Sequence, residues 1–160
     1  MTPPPAVGDP APTFEALLCD GQTFRPTALA DRLGDRGAVV VFGGFVFSAI
    51  ARNWWRRYER AGWADRDGVV VSGVVRDGPY AVNAFLRRLD GPFSLFADVD
   101  GDVAAAYDLL VERDGMAGVR TARRAVFVLD ADGIVRYGWT TDEWIHPVPT
   151  DEIETAVEAL

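Results

Sequence analysis

The alternation of short apolar runs with amphipathic stretches predicts an α/β sandwich, an α/β/α arrangement of three layers with a mixed central sheet. Two β-branched runs, Ala38-Val-Val-Val-Phe42 and Val69–Val75, have the continuous apolar character of buried strands. The amphipathic segment between them makes a strand–helix–strand unit, whose strands pair in parallel. Near the end, Arg124–Asp130 and Ile134–Trp139 flank Ala131-Asp132-Gly133, a hairpin signal that adds antiparallel strands. With 160 residues, 49% of them apolar, the chain is long enough for one well-buried domain and short for two.

Residues 1–6, with Pro3-Pro4-Pro5, read as a flexible proline-rich tail, and 7–160 as the single domain. Phe14–Leu18 and Gln22–Phe24 flank Asp20-Gly21, so an N-terminal β-hairpin opens the domain. After the first buried strand, Ser48 to Gly62 reads as a helix. Ile50, Trp54, Tyr58 and Ala61 share one face, with Arg52, Arg56, Arg57 and Arg60 largely opposite. Ser48 is the expected N-cap and Gly62 the expected stop. Beyond Val69–Val75, a second helix covers Tyr80 to Leu89 and ends at Asp90-Gly91-Pro92. Phe93–Ala97 reads as a short strand and Asp102–Leu110 as a helix. The late hairpin precedes a last helix after Pro149, with Thr150 or Asp151 as cap and Glu154 as capping-box partner.

Charge narrows the partners. The chain holds 24 acids, mostly Asp, against 16 bases, all Arg, for a net charge of −8. Nucleic acid and anionic membrane need a basic surface and are excluded as main partners. An excess of carboxylates fits a halophilic protein, since self-repulsion is screened within about 3 Å at 1 M salt. A GC-rich genome accounts for Arg in place of Lys, but not for the excess of Asp. No apolar run approaches the ~20 residues of a membrane helix, and the first residues lack the features of a signal peptide, so a cytoplasmic protein is expected. Cys19 is the only cysteine and His146 the only histidine, which leaves no internal disulfide and no ligand spacing for a metal. No cofactor is expected, and a triad of Ser48, His146 and an Asp has only residue types in its favour.

Four segments carry a resemblance. They are Val7–Phe14; Val39–Trp55, centred on Phe42-Gly-Gly-Phe-Val-Phe-Ser-Ala-Ile-Ala51; Asp77–Leu86 with Gly91–Asp98; and Arg124–Tyr137. Together they resemble peroxiredoxins of the alkyl hydroperoxide reductase/thiol-specific antioxidant family. The resemblance implies a thioredoxin-like fold with the additions peroxiredoxins make. It also implies a site where a proline, a Thr or Ser and a peroxide-reducing cysteine meet an arginine from a distant strand. The cysteine stands in the first turn of a helix because the helix end and the arginine lower its pKa from ~8.5, and only the thiolate attacks peroxide. The hydroxyl and the arginine then stabilise developing charge on the peroxide oxygens.

Carried onto this sequence, the proline falls on Gly44, the hydroxyl on Ser48, the cysteine on Ala51 and the arginine on Arg124. The sulfur is missing. Ala51 has no nucleophile, and the Ser48 hydroxyl has no sulfenic-acid cycle to offer. Trp54 and Trp55 stand where the family commonly has smaller or acidic residues, which points to natural drift.

The expectation is therefore a peroxiredoxin-like protein that has lost peroxidase activity and serves as a binding or interaction module, with a vestigial pocket at Gly44, Ser48, Ala51 and Arg124. Two alternatives stay open: a thiol-dependent antioxidant using Cys19 or a partner's thiol, and a structural subunit of a larger complex. Cys19, beside the pKa-raising carboxylate of Asp20, reads as a half-buried or incidental thiol. Trp54 is assigned to the buried stripe. Trp55, Trp63 and Trp144 are candidates for a homodimer or protein-partner interface.

Overall fold

A computed structural model of the chain describes residues 3–160; Met1 and Thr2, the outermost part of the expected tail, lie outside the described residues. The described elements run β1 (Glu15–Cys19), β2 (Phe24–Ala28), β3 (Gly37–Phe42), α1 (Ala51–Ala61), β4 (Val69–Val75), α2 (Pro79–Leu89), β5 (Ser94–Ala97), α3 (Asp102–Ala106), β6 (Leu110–Glu112), β7 (Arg120–Ala122), β8 (Arg124–Asp130), β9 (Val135–Thr141) and α4 (Thr150–Glu158). Seven strands form one sheet in the order β2-β1-β5-β4-β3-β8-β9. The β-branched runs sit at its centre, where β3, β4 and β5 pair in parallel. The late hairpin adds β8 and β9 antiparallel on one side, and β1 with β2 closes the other.

Strand side chains alternate between faces, and both faces are covered. Val39 and Val41 pack with Trp55, Tyr58 and Ile153 beneath α1, α2 and α4. Val40 and Phe42 pack with Phe96, Tyr107 and Phe127 on the side of α3. The mixed three-layer sandwich expected from the pattern is the architecture found.

Several local expectations change. The opening hairpin pairs Cys19 with Phe24 rather than closing at Asp20-Gly21. The Asp20 carboxylate accepts the N–H groups of Gln22 and Thr23 at 2.9 and 2.7 Å, which widens the turn and moves the second strand on to Ala28. Pro26 is tolerated there because β2 is an edge strand.

The helix expected over Asp102–Leu110 stops at Ala106. Asp108 turns left-handed (φ 55°), and Leu110–Glu112 pairs with Arg120–Ala122 as a separate ribbon. Residues 113–119 connect the two strands, with Arg113 N–H closing the loop on Val119 O. In α4 the capping box does not form. Pro149 holds the N-cap position without a side-chain bond, and Glu154 pairs with Arg66 instead.

Helix α1 begins at Ala51, not Ser48, because successive turns occupy 45–51: Ser48 N–H donates to Phe45 O and Ala51 N–H to Ser48 O. Gly62 ends it in the left-handed region (φ 77°), as expected. The face of α1 turned to the sheet carries buried Trp55 and Tyr58, with Ala51 half-buried beside them. Trp55 and Trp63, expected at an interface, are core residues, 4% and 0% exposed. Trp63 stacks on Tyr58 at 5.2 Å, and the Trp55 indole lies across Gly73 of β4. A strand glycine is the one residue that lets so large a ring approach the sheet this closely.

Candidate functional site

The segment between β3 and α1 is pinned to the end of β4 by three hydrogen bonds. Gly43 N–H donates to Val74 O, Arg76 N–H to Gly44 O, and Val46 N–H to the Asp77 carboxylate at 2.8 Å. Burial pushes the Asp77 carboxyl above its ordinary value, against the pull of the Val46 bond. Asp77 belongs to one of the segments that carry the resemblance, but nothing in the sequence marks its role as the anchor of this loop.

From the pinned loop the chain enters α1 at Ala51. Ile50 is the N-cap, no side chain caps the helix, and no acid sits in the first turn, so the positive helix end is left unneutralised. Across from it, Arg124 opens β8. Its Nη1 donates to the carbonyls of Glu143, Trp144 and His146 at 3.0, 3.2 and 2.7 Å. The guanidinium lies over Trp54 at 4.1 Å and near Trp139 at 5.6 Å, held between two indoles. Trp54 is therefore not on the buried stripe. It flanks the site, half-exposed, and its Nε1 donates to Trp144 O at 3.3 Å.

The three carbonyl bonds fold the segment after β9 over the site and bring Trp144 onto Gly44. A Cβ at Gly44 would stand 3.4 Å from Trp144 Cζ3, so the indole covers the place where the resemblance expects a proline. The Arg113 guanidinium stacks on the outer side of Trp144 at 4.4 Å and is fixed by Thr121 Oγ1 at 2.7 Å. Trp144 keeps 39% of its surface exposed and is the one of the three interface candidates at the surface. His146 stacks on Trp139, with Nδ1 3.3 Å from the Glu143 carboxylate, and serves to shape this segment.

Beneath the cover is a cavity of about 40 Å³, room for one or two water-sized groups. Gly44, Ser48, Ala51 and Arg124, far apart in sequence, all line it, with Tyr58 and Trp144. Burial pushes the Tyr58 phenol up, against the pull of the Arg124 charge, so the phenol stays neutral at physiological pH. Its hydroxyl approaches the guanidinium without a hydrogen bond of ordinary geometry, and Arg124 Nη2 has no acceptor among the described residues. The chemistry available is that of a cationic donor, a hydroxyl and a helix end around the Ala51 methyl group.

Cys19 lies elsewhere. It is 0% exposed, buried between β1 and α2 with Sγ 3.9 Å from the carbonyls of Leu17 and Pro79. It is thus fully buried rather than half-buried. Burial, with the Asp20 charge second, pushes its thiol up to about 11. Between pH 9 and about 11 the unfolded chain ionises this group and the folded chain does not. The group's contribution to stability is therefore complete below pH 9 and is lost as pH rises through that window, at up to about 1.4 kcal/mol per pH unit. Buried Tyr107, also raised, acts in the same direction. Chemical denaturation from pH 8 to 10.5 is expected to show a shallower loss in Cys19→Ser than in the parent chain. In folded protein at pH 8, Ellman's reagent is expected to leave Cys19 untouched until denaturant is added.

A mixed sheet of this order, with a strand–loop–helix pocket facing a buried arginine, defines a redoxin of thioredoxin-like fold. The model of the AhpC/TSA family matches residues 7–138. Peroxiredoxin 2 of Thermoplasma acidophilum is 31% identical over 105 residues, 58% of this chain and 47% of that protein. Dephospho-CoA kinase of Leifsonia xyli subsp. xyli is 31% identical over 131 residues, 78% of this chain and 63% of that protein. The kinase name is not carried over, since a phosphate loop of the Gly-x-x-x-x-Gly-Lys kind needs a Lys and this sequence has none. Among solved structures, Enterococcus faecalis AhpC superposes with a TM-score of 0.80 at 19% identity, covering 97% of this chain and 92% of that one, a likeness of fold. The chain belongs to the AhpC/TSA family. It spans between about half and under two thirds of the length of the curated relatives it matches. Among the described residues, no helix is long and apolar enough to cross a membrane.

Proposed function

We propose that this member of the peroxiredoxin family has left peroxide chemistry and works as a binding module through the pocket of Gly44, Ser48, Ala51 and Arg124. One observation carries the reading: the residue sharing the cavity with Arg124 at the start of α1 is an alanine. Thiolate attack is the step on which thiol peroxidases depend, and a methyl group cannot perform it. The alternative nucleophile, Cys19, is shielded and protonated at neutral pH. The excess of Asp supports a protein that works at high salt. A partner protein or second copy, where one binds, meets the chain at Trp144 rather than at buried Trp55 or Trp63.

The purified chain at high salt, given hydrogen peroxide and dithiothreitol, is expected to consume peroxide no faster than buffer. Turnover that is present in the parent chain and vanishes in Cys19→Ser would replace this reading with the thiol-dependent one.

A further inference from the structure

We propose that the groove between α2 and the loop before α1 docks an acidic peptide segment of a partner protein, with one large apolar side chain of that segment seated against Phe47 between Arg52 and Arg88. This surface goes beyond the pocket reading. The groove shares only Val46 and Ser48 with the pocket, and it adds a second place of contact to Trp144.

Phe47 is 51% exposed and yet held in place. Its ring meets Phe85 edge to face at 5.7 Å, and the Arg88 guanidinium lies over it at 5.5 Å. The preceding residue, Val46, is tied to Asp77, so the loop is fixed before any partner arrives and little ordering entropy is left to lose. Buried Val46, Phe85 and Leu89 line the groove, whose volume is about 230 Å³. That is below the roughly 300–1,000 Å³ of pockets that enclose a small molecule. Phe47, Ala49, Arg52 and Arg88 stand open to solvent around it. An open groove of this size suits one side chain on a larger partner, and aromatic residues and Arg are the types enriched at interface cores.

Charge sets the sign of the partner. In a chain of net charge −8, the sequence has no acid from Arg36 to Tyr58 or from Gly78 to Leu89, the segments that build the groove. Among the described residues, no ion pair reaches Arg52 or Arg88, and no Asp or Glu lines the groove. Of the acids that follow or precede these segments, Glu59 pairs with Arg56 and Asp77 accepts the Val46 N–H, while Asp90 is exposed just past α2. The groove is a basic strip in an acidic protein, and a segment bearing carboxylates is its complement. A second copy of the chain fits poorly. A two-fold contact centred here would set Arg52 and Arg88 against their own copies.

The test uses the full chain in about 1 M NaCl, where charges more than about 3 Å apart are screened and the net charges of chain and probe no longer repel. The probe is a fluorescein-labelled pentapeptide, Glu-Asp-Phe-Asp-Glu. Fluorescence anisotropy is expected to show saturable binding at about 100 μM, the strength of one apolar anchor with a few exposed charge contacts. Replacing the probe's phenylalanine by serine, or its four acids by their amides, is expected to weaken binding at least about fivefold. Phe47→Ser and the double variant Arg52→Gln/Arg88→Gln change exposed side chains, so both are expected to fold and to show the same loss. Equal binding of the acidic and the amide probe, or binding retained in full by either variant, overturns the inference. So does a doubling of mass with concentration in light scattering that Phe47→Ser abolishes, which would give the groove to a second copy. Displacement of the probe by free phenylacetate as strong as by unlabelled peptide would give it to a small carboxylate, and overturns the inference too. None of these readouts depends on peroxide turnover, so this surface and the pocket reading fail separately.

Discussion

Ala51→Cys, made in a Cys19→Ser background, is expected to yield a thiol with a pKa well below the ~8.5 of free cysteine. Two stabilising influences on the thiolate meet one opposing influence. The new sulfur would sit at the first position of α1, where the helix end is uncapped and no acid offsets it, and it would share its cavity with Arg124. A helix start and a neighbouring cation together lower a thiol by about 1–3 units. Against them stands the apolar wall of Trp54, Trp55 and Val75. The cations win because residue 51 is only half-buried while Arg124 is almost wholly so: the sulfur is partly solvated, and the charge facing it is poorly screened. At pH 7 the thiolate fraction is then expected to rise at least about tenfold over free cysteine. The pH dependence of iodoacetamide alkylation measures it. A midpoint at ~8.5 or above would show that the three loop carbonyls have absorbed the field of Arg124, and that the pocket is not a preserved thiolate site.

Gly73→Val is expected to be the most damaging single change outside the site. A Cβ at this position would stand 2.4 Å from Leu95 Cδ2 and 2.5 Å from Trp55 Cη2. Neither neighbour can yield cheaply. Leu95 is 0% exposed on β5, and Trp55 is wedged between the sheet and the edges of Tyr58 and Phe93 at ring distances of 5.2 and 5.0 Å. Overpacking of this kind costs about 3 kcal/mol or more, roughly 10 °C in Tm for a chain of this size. Because Trp55 lines the pocket, its displacement also deforms the site. Gly78→Ala is the control: nothing lies within 4 Å of its Cβ position, and its extended backbone accepts any residue. It should stay within about 1 kcal/mol of the parent chain. Equal Tm values for Gly73→Val and Gly78→Ala would falsify the account of how α1 is seated.

Much of the site was legible before any coordinates because the segments that carry the family resemblance include its parts, and the fold brings Gly44, Ser48, Ala51 and Arg124 to one cavity. The tryptophans were not legible. Trp54 and Trp55 are adjacent in sequence, about 100° apart around the helix, and which of them faces the sheet is decided by how α1 docks on it. Trp63 sits in a 3-10 turn, where no periodicity assigns a face. Trp144 lies in an irregular segment, and its position depends on carbonyl bonds to an arginine twenty residues away.

The order of strands and helices followed from the chain itself, because apolar periodicity is a local property that a mixed sheet must satisfy. The same holds for the lack of a thiol at position 51, since composition needs no fold to be read. What the tertiary structure alone decided was the electrostatics of the pocket. Whether a buried guanidinium meets a carboxylate or three neutral carbonyls depends on where distant loops close, and no spacing along a chain records that.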